Sequence, residues 1–185
     1  MLILHHDPTS PASAVATLRL QRIADRGGAV AFQGLDVLGL DAAIPVTLDQ
    51  LTELDRVRER LHELGLSARR PTRRPPTLAA HLVDEEVAQQ VGLGAVWRRS
   101  VLAAYWERDV DISDAVALAA VAGEVGLDAG RVVDLLADRA ARTQLRRRML
   151  ATRQRGIGGV PVLEVGGTFV AADLDDHDLR QLAGA

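Results

Sequence analysis

The chain has 185 residues, nearly half of them hydrophobic and a quarter charged, with a formal net charge of -3; this is enough apolar material for one globular unit with a sizeable core, and it excludes a disordered chain. Near-neutral charge and an aromatic content of 3% exclude the basic, stacking-rich surface of a general nucleic-acid binder. No cysteine is present, so the chain has no thiolate nucleophile, no disulfide and no thiolate metal ligand of its own.

All 22 basic residues other than histidine are arginine, and lysine and asparagine are absent, a bias that fits a GC-rich bacterial genome and removes every Schiff-base amine. In chain order, the apolar run Leu2 to Leu4, ending at His5-His6-Asp7, predicts a strand. It is too short for a signal-peptide core, and no other run approaches a spanning helix, which predicts a cytoplasmic protein without membrane partners. Ser10-Pro11 then opens a helix carrying Val15, Leu18 and Ile23, and Gly27-Gly28 stops it. Ala29 to Phe32, with Leu35 and Val37, predicts a second strand and completes a β-α-β unit.

From Thr47 the pattern turns helical, with Thr47 and Gln50 set as a capping box and Gly65 as the stop. Arg69 to Pro76 is expected to be a loop, because proline disfavours helix at its own position and at the one before. Further helices are expected from Thr77 to about Val91, Ala95 to Arg108, Ser113 to Val125, Asp128 to Ala137 and Ala140 to Arg153. Val160 to Val165, Gly166-Gly167 and Thr168 to Val170 predict a hairpin, followed by a helix from Asp175 to Leu182. Strands at both ends and about a hundred helical residues between them predict an α/β fold whose ends share one sheet. Its sheet-forming parts would span about 1–40 and 156–185, with a helical insertion over about 41–155.

Three stretches give this arrangement a family resemblance. Asp7-Pro8-Thr9-Ser10-Pro11-Ala12-Ser13 is similar to the segment that carries Cys-Pro-Trp-Cys in FrnE-like oxidoreductases, or Ser-Pro-Tyr-Ser in kappa glutathione transferases and 2-hydroxychromene-2-carboxylate isomerases. Gly156-Ile157-Gly158-Gly159-Val160-Pro161-Val162 resembles the family's Gly-Val-x-Gly-Val-Pro element, whose valine-proline bond is cis. Val101 to Trp106, Asp111-Ile112-Ser113, Gly126-Leu127-Asp128 and Val132 to Leu136 resemble the family's helical insertion. The chain therefore resembles the DsbA-like group: a thioredoxin-like fold with a helical insertion, here as a single domain over 1–185. It departs from the pattern in having Ala12 for the aromatic, serine at both cysteine positions, and no lysine.

The resemblance implies Ser10 as the catalytic residue, and Ser13, Val160, Pro161 and Asp173 as residues that hold a low-molecular-weight thiol, glutathione or mycothiol. Asp173 would occupy the place of the aspartate that meets the amino group of glutathione. Ser10 is equally an ordinary helix cap, and Pro161 an ordinary strand-start proline. Two hypotheses stand side by side: a thiol-dependent transferase or isomerase without redox activity of its own, or a noncatalytic module that binds a peptide or partner. A homodimer is left open by either.

Other features read more plainly. His5 and His6 beside Asp7 invite a metal site, yet neighbours on a strand point to opposite faces, so no metal is expected. His62, His81 and His177 stand singly and are expected at the surface or at caps. The arginines at 69–74 and 146–155 are expected to be solvated, and Tyr105 and Trp106 to be core aromatics.

Overall fold

The computed structural model describes residues 1–185. A four-stranded sheet has the order β2-β1-β5-β6, from β1 (Leu2–His6), β2 (Val30–Gly34), β5 (Val162–Val165) and β6 (Thr168–Ala171). β1 runs parallel to β2, as the crossover helix α1 (Pro11–Ala24) requires, and antiparallel to β5, with Leu4 opposite Leu163. The two ends of the chain thus share one sheet, as expected. Leu2 and Leu4 face α1 and the last helix, α8 (Asp176–Ala183), where Leu20, Ile23 and Leu179 close a small core.

The larger core belongs to the helices between the strands: α2 (Leu48–Glu63), α3 (Leu78–Val83), α4 (Gly94–Arg108), α5 (Ala115–Glu124), α6 (Ala129–Ala137) and α7 (Arg139–Gln154). Thr47, Asp114, Asp128, Asp138 and Asp175 each cap a helix through a side-chain oxygen, satisfying N–H groups that the helix itself leaves free. No helix is long and apolar enough to cross a membrane.

Several expectations are corrected. The segment read as loop contributes a two-residue ladder, β3 (Ile44–Pro45) against β4 (Arg73–Arg74), because the prolines that forbid helix do not forbid an edge strand. The helix expected from Thr77 to Val91 widens at Asp84–Ala88 into a π-helical turn, which turns Asp84 inward to Arg98 at 3.0 Å. Thr47 caps α2 as foreseen, but Gln50 does not reach back to complete the box; its amide donates elsewhere, to the Thr9 carbonyl at 2.8 Å.

His81 is buried, not superficial. It stacks edge-on against His6 at 5.2 Å and lies so close to β2 that a Cβ on Gly34 would meet its ring at 2.2 Å. His5 and His6 do diverge, His5 to Glu164 at 2.9 Å and His6 to His81 and Phe32. The arginines are mostly fastened rather than free: Arg146 to Asp41, Arg148 to Glu85 and Glu86, Arg155 to Glu164, and Arg153 to the Asp36 carbonyl.

Candidate functional site

The chain leaves β1 through Asp7-Pro8-Thr9-Ser10 and enters α1 at Pro11, so that the first turn of α1 lies at the end of the central strand. Asp7 organises this passage. Its carboxylate is buried and accepts from four donors: one oxygen takes the Thr9 N–H at 2.8 Å and the Thr9 hydroxyl at 2.7 Å, and the other takes the Val37 N–H at 2.9 Å and the Thr77 hydroxyl at 3.4 Å. Burial of a carboxylate is tolerable only with such saturation. One side chain thereby ties together the segments after β1 and β2 and the start of α3.

The helical insertion holds the same segment from the other side. Trp106 donates its indole N–H to the Pro8 carbonyl at 2.8 Å, and Tyr105 donates its hydroxyl to the Arg73 carbonyl at 3.2 Å. The two aromatics are core residues, as expected, and each also uses its polar tip. Burial pushes the Tyr105 phenol well above its ordinary value, so it remains a neutral donor.

Ser10 caps α1, its Oγ accepting the Ser13 N–H at 3.2 Å. It borders an open cleft of about 420 Å³ together with Thr9, Gln50, Glu53, Arg74 and Val160. The Val160–Pro161 bond is cis. Of the residues selected from the sequence, the fold brings Ser10 and Val160 into one cleft, with Pro161 next in the chain. Ser13 and Asp173 are not part of its lining. Ser13, three residues past the cap, turns into the interior, fully buried with its Oγ unpartnered. Asp173 is exposed beyond β6, on the edge of the sheet, with β5 between that strand and β1.

Glu53, Arg74 and Gln50 are the cleft residues that sequence reasoning missed. Glu53 and Gln50 lie one turn apart on α2, and polar side chains on an amphipathic helix read as solvent-facing. Burial raises the Glu53 carboxyl from its ordinary value, opposed by the Ala12 N–H in the first turn of α1 and by the Arg74 and Arg56 cations. Arg74 donates from Nε to the Thr9 hydroxyl at 2.9 Å. The cleft thus joins a hydroxyl at a helix terminus, a half-buried carboxyl and a guanidinium.

Comparison with known proteins bears on this geometry. No curated protein matches the chain. Among solved structures, a probable DsbA oxidoreductase from Streptomyces coelicolor superposes with a TM-score of 0.81 at 20% identity, over 97% of this chain and 86% of the other. A 2-hydroxychromene-2-carboxylate isomerase superposes with a TM-score of 0.74 at 18% identity, over 99% and 92%. The cytosolic disulfide reductase DsbM of Pseudomonas aeruginosa superposes with a TM-score of 0.69 at 19% identity, over 97% and 95%. At such identities the likeness is one of fold. The DSBA-like thioredoxin domain model matches residues 5–183, and with the β1–α1 passage, the helical insertion and the cis proline in place, the chain belongs to that family.

Proposed function

We propose that the cleft binds a low-molecular-weight thiol or its conjugate, with the sulfur at Ser10 and the peptide-like portion along the Val160 backbone, for transferase or isomerase chemistry. The observation that carries this reading is that Ser10, at the start of α1, and Val160 line one open cleft in a chain with no cysteine of its own. The isomerase among the structural neighbours supports it, as does the Pseudomonas disulfide reductase, which has also been solved with GSH.

Magnitudes assign Ser10 its part. A helix N-terminus contributes at most about 2 kcal/mol, or roughly 1.5 pKa units at about 1.36 kcal/mol per unit. That brings a thiol from about 8.5 to about 7 but leaves a serine hydroxyl neutral. Ser10 Oγ already accepts the Ser13 N–H, and its own hydrogen is available to donate to sulfur. Ser10 stabilises a thiolate; it is not the nucleophile.

Calorimetric titration of glutathione and mycothiol from mildly acidic to alkaline pH tests this. Ser10→Ala is expected to cost about 1.5 to 3 kcal/mol in thiolate binding, the strength of one charge-assisted hydrogen bond. Repeating the titration at neutral pH in buffers of different ionisation enthalpy reads out the proton. At neutral pH the parent should release about half a proton per thiol bound, the fraction ionised at a value of about 7, and Ser10→Ala less.

The noncatalytic module is the second reading, favoured by the Glu53 carboxyl facing the α1 terminus, where an ionised acid opposes a second anion. Failure of the parent to bind either thiol, or unchanged pH-dependent binding by Ser10→Ala, would decide for it.

A further inference from the structure

The arginines around the cleft fall into two kinds. Arg70 pairs with Asp55 at 2.6 Å and Arg73 with Asp111 at 3.8 Å, both exposed pairs of the sort that solvates a surface. Arg74 is half-buried, lines the cleft, and has no carboxylate within ion-pair distance. Its Nε is committed to the Thr9 hydroxyl at 2.9 Å, and that hydroxyl donates in turn to Asp7 at 2.7 Å. The chain from Asp7 through Thr9 fixes the plane of the guanidinium. No protein acceptor meets either terminal nitrogen, and four N–H groups therefore have no protein partner.

The backbone beneath it is held as firmly. Arg74 pairs with Ile44 across the β3–β4 ladder, Tyr105 binds the preceding carbonyl, and Pro75 follows, buried. A cation oriented on one side, half-removed from water and with no carboxylate bonded to either terminal nitrogen keeps its planar fork free for an acceptor.

We propose that Arg74 is the anchor for a carboxylate on the ligand of the Ser10 cleft. The planar fork of two terminal amino groups matches the two oxygens of a carboxylate. Asp49 and Glu53 line the same cleft and oppose a more highly charged group, so a single flat anion fits better than a phosphate dianion. Arg56, exposed on the rim and likewise outside any ion pair, adds to the attraction without being held in one orientation. This inference rests on the cleft being the ligand site, and it narrows the ligand: a thiol or conjugate that carries a carboxylate, as a peptide thiol does, in preference to a sugar thiol that has none.

The test uses S-methylglutathione, which has carboxylates and no free thiol, against its diethyl ester, with inorganic phosphate as the alternative anion. The parent is expected to bind the acid at least about tenfold more tightly than the ester, within the range for a charge-assisted fork. Arg74→Ala should bring the two compounds to equal affinity. Arg74→Lys, which keeps the charge but not the fork, should restore part of the difference, and Arg74→Gln, which retains a donor for Thr9, serves as the folded control by thermal unfolding. Equal binding of acid and ester by the parent, an unchanged ratio in Arg74→Ala and Arg74→Gln, tighter binding of phosphate than of the acid, or no saturable binding of either compound overturns the anchor.

Glutathione itself separates this from the thiolate reading. If S-methylglutathione binds with Arg74-dependent preference for the acid and glutathione gains nothing from its sulfhydryl, the anchor stands and the thiolate reading fails. If the sulfhydryl strengthens binding while acid and ester are equal, the anchor alone fails.

Discussion

Replacing Asp7 by Ala is expected to lower the unfolding free energy by about 3 kcal/mol, with the midpoint of thermal unfolding falling by roughly 6 to 12 °C for a chain of this size. The four donors on Asp7 come from three separate segments, at Thr9, Val37 and Thr77, and two of them are backbone N–H groups. Alanine fills neither oxygen position, and donors deep in the structure lose their acceptor without gaining water. That is costlier than never having made the bonds. Asp7→Asn should cost roughly half as much, because one amide oxygen still accepts from Thr9 while its amino group faces the Val37 N–H. Urea denaturation of the two variants measures the loss, and a change below about 1 kcal/mol for Asp7→Ala would contradict the central place given to this carboxylate. The same variant loosens Thr9 and through it Arg74, so acid-over-ester discrimination in the cleft should decline with it.

Stability is expected to fall between pH 7 and pH 5 by about 2 kcal/mol on account of His81 alone. Burial pushes His81 down to about 4 from an ordinary value of 6.5, with the Asp36 carboxylate opposing. In the unfolded chain the ring takes up a proton near pH 6.5, whereas in the folded protein it stays neutral until about pH 4. The unfolded state therefore binds more protons throughout that window, and stability rises with pH across it and is complete above 6.5. At pH 5 the interval traversed is about 1.5 units, which at about 1.36 kcal/mol per unit gives the figure above.

His6 acts in the same direction, its ring lowered by burial first and then by His81, Arg98 and His5. Asp84 works against them: burial raises its carboxyl despite the Arg98 pair, so its contribution is lost as pH rises. Urea midpoints at pH 7.5, 6 and 5 on the parent and on His81→Gln, whose amide is neutral at every pH, isolate the effect. An identical pH slope in the two proteins would rule out His81 as its source.

Much of the scaffold was legible because local rules govern it. The cap at Thr47 follows from a side chain that reaches an N–H group three residues away, whereas the same chemistry at Asp114, Asp128, Asp138 and Asp175 came with the structure. The strand at Leu2–His6 and the hairpin across Gly166-Gly167 follow from alternation and turn chemistry. The pairing of β1 with β5, in which His5 and Glu164 are separated by 159 residues, was expected from strand topology and the family likeness, whereas its register came only from the fold. Failures cluster where side chains chose distant partners over local ones. Gln50 gave up the capping box for Thr9, and His81 went into the core beside His6.

By itself the sequence determined what chemistry is excluded: with no cysteine and no lysine, the chain has no thiol-disulfide exchange and no Schiff base of its own, since those reactions need atoms it lacks. It also determined Ser10 as the start of α1, because a serine-proline pair ahead of an apolar helical pattern satisfies the free N–H groups of the first turn. Only the tertiary structure decided that Gln50 and Arg74, 41 and 65 residues from Thr9, would close around it with Glu53, while Ser13 and Asp173 would stay out of the lining. The physical reason is that the docking of α2 and of the β3–β4 ladder against the start of α1 sets which polar groups share a cleft. α2 docks through its apolar face, with Leu54 and Leu61 in the core, and the ladder is held by backbone pairing and by Tyr105 on the Arg73 carbonyl, so nothing in the polar cleft residues themselves announces the arrangement.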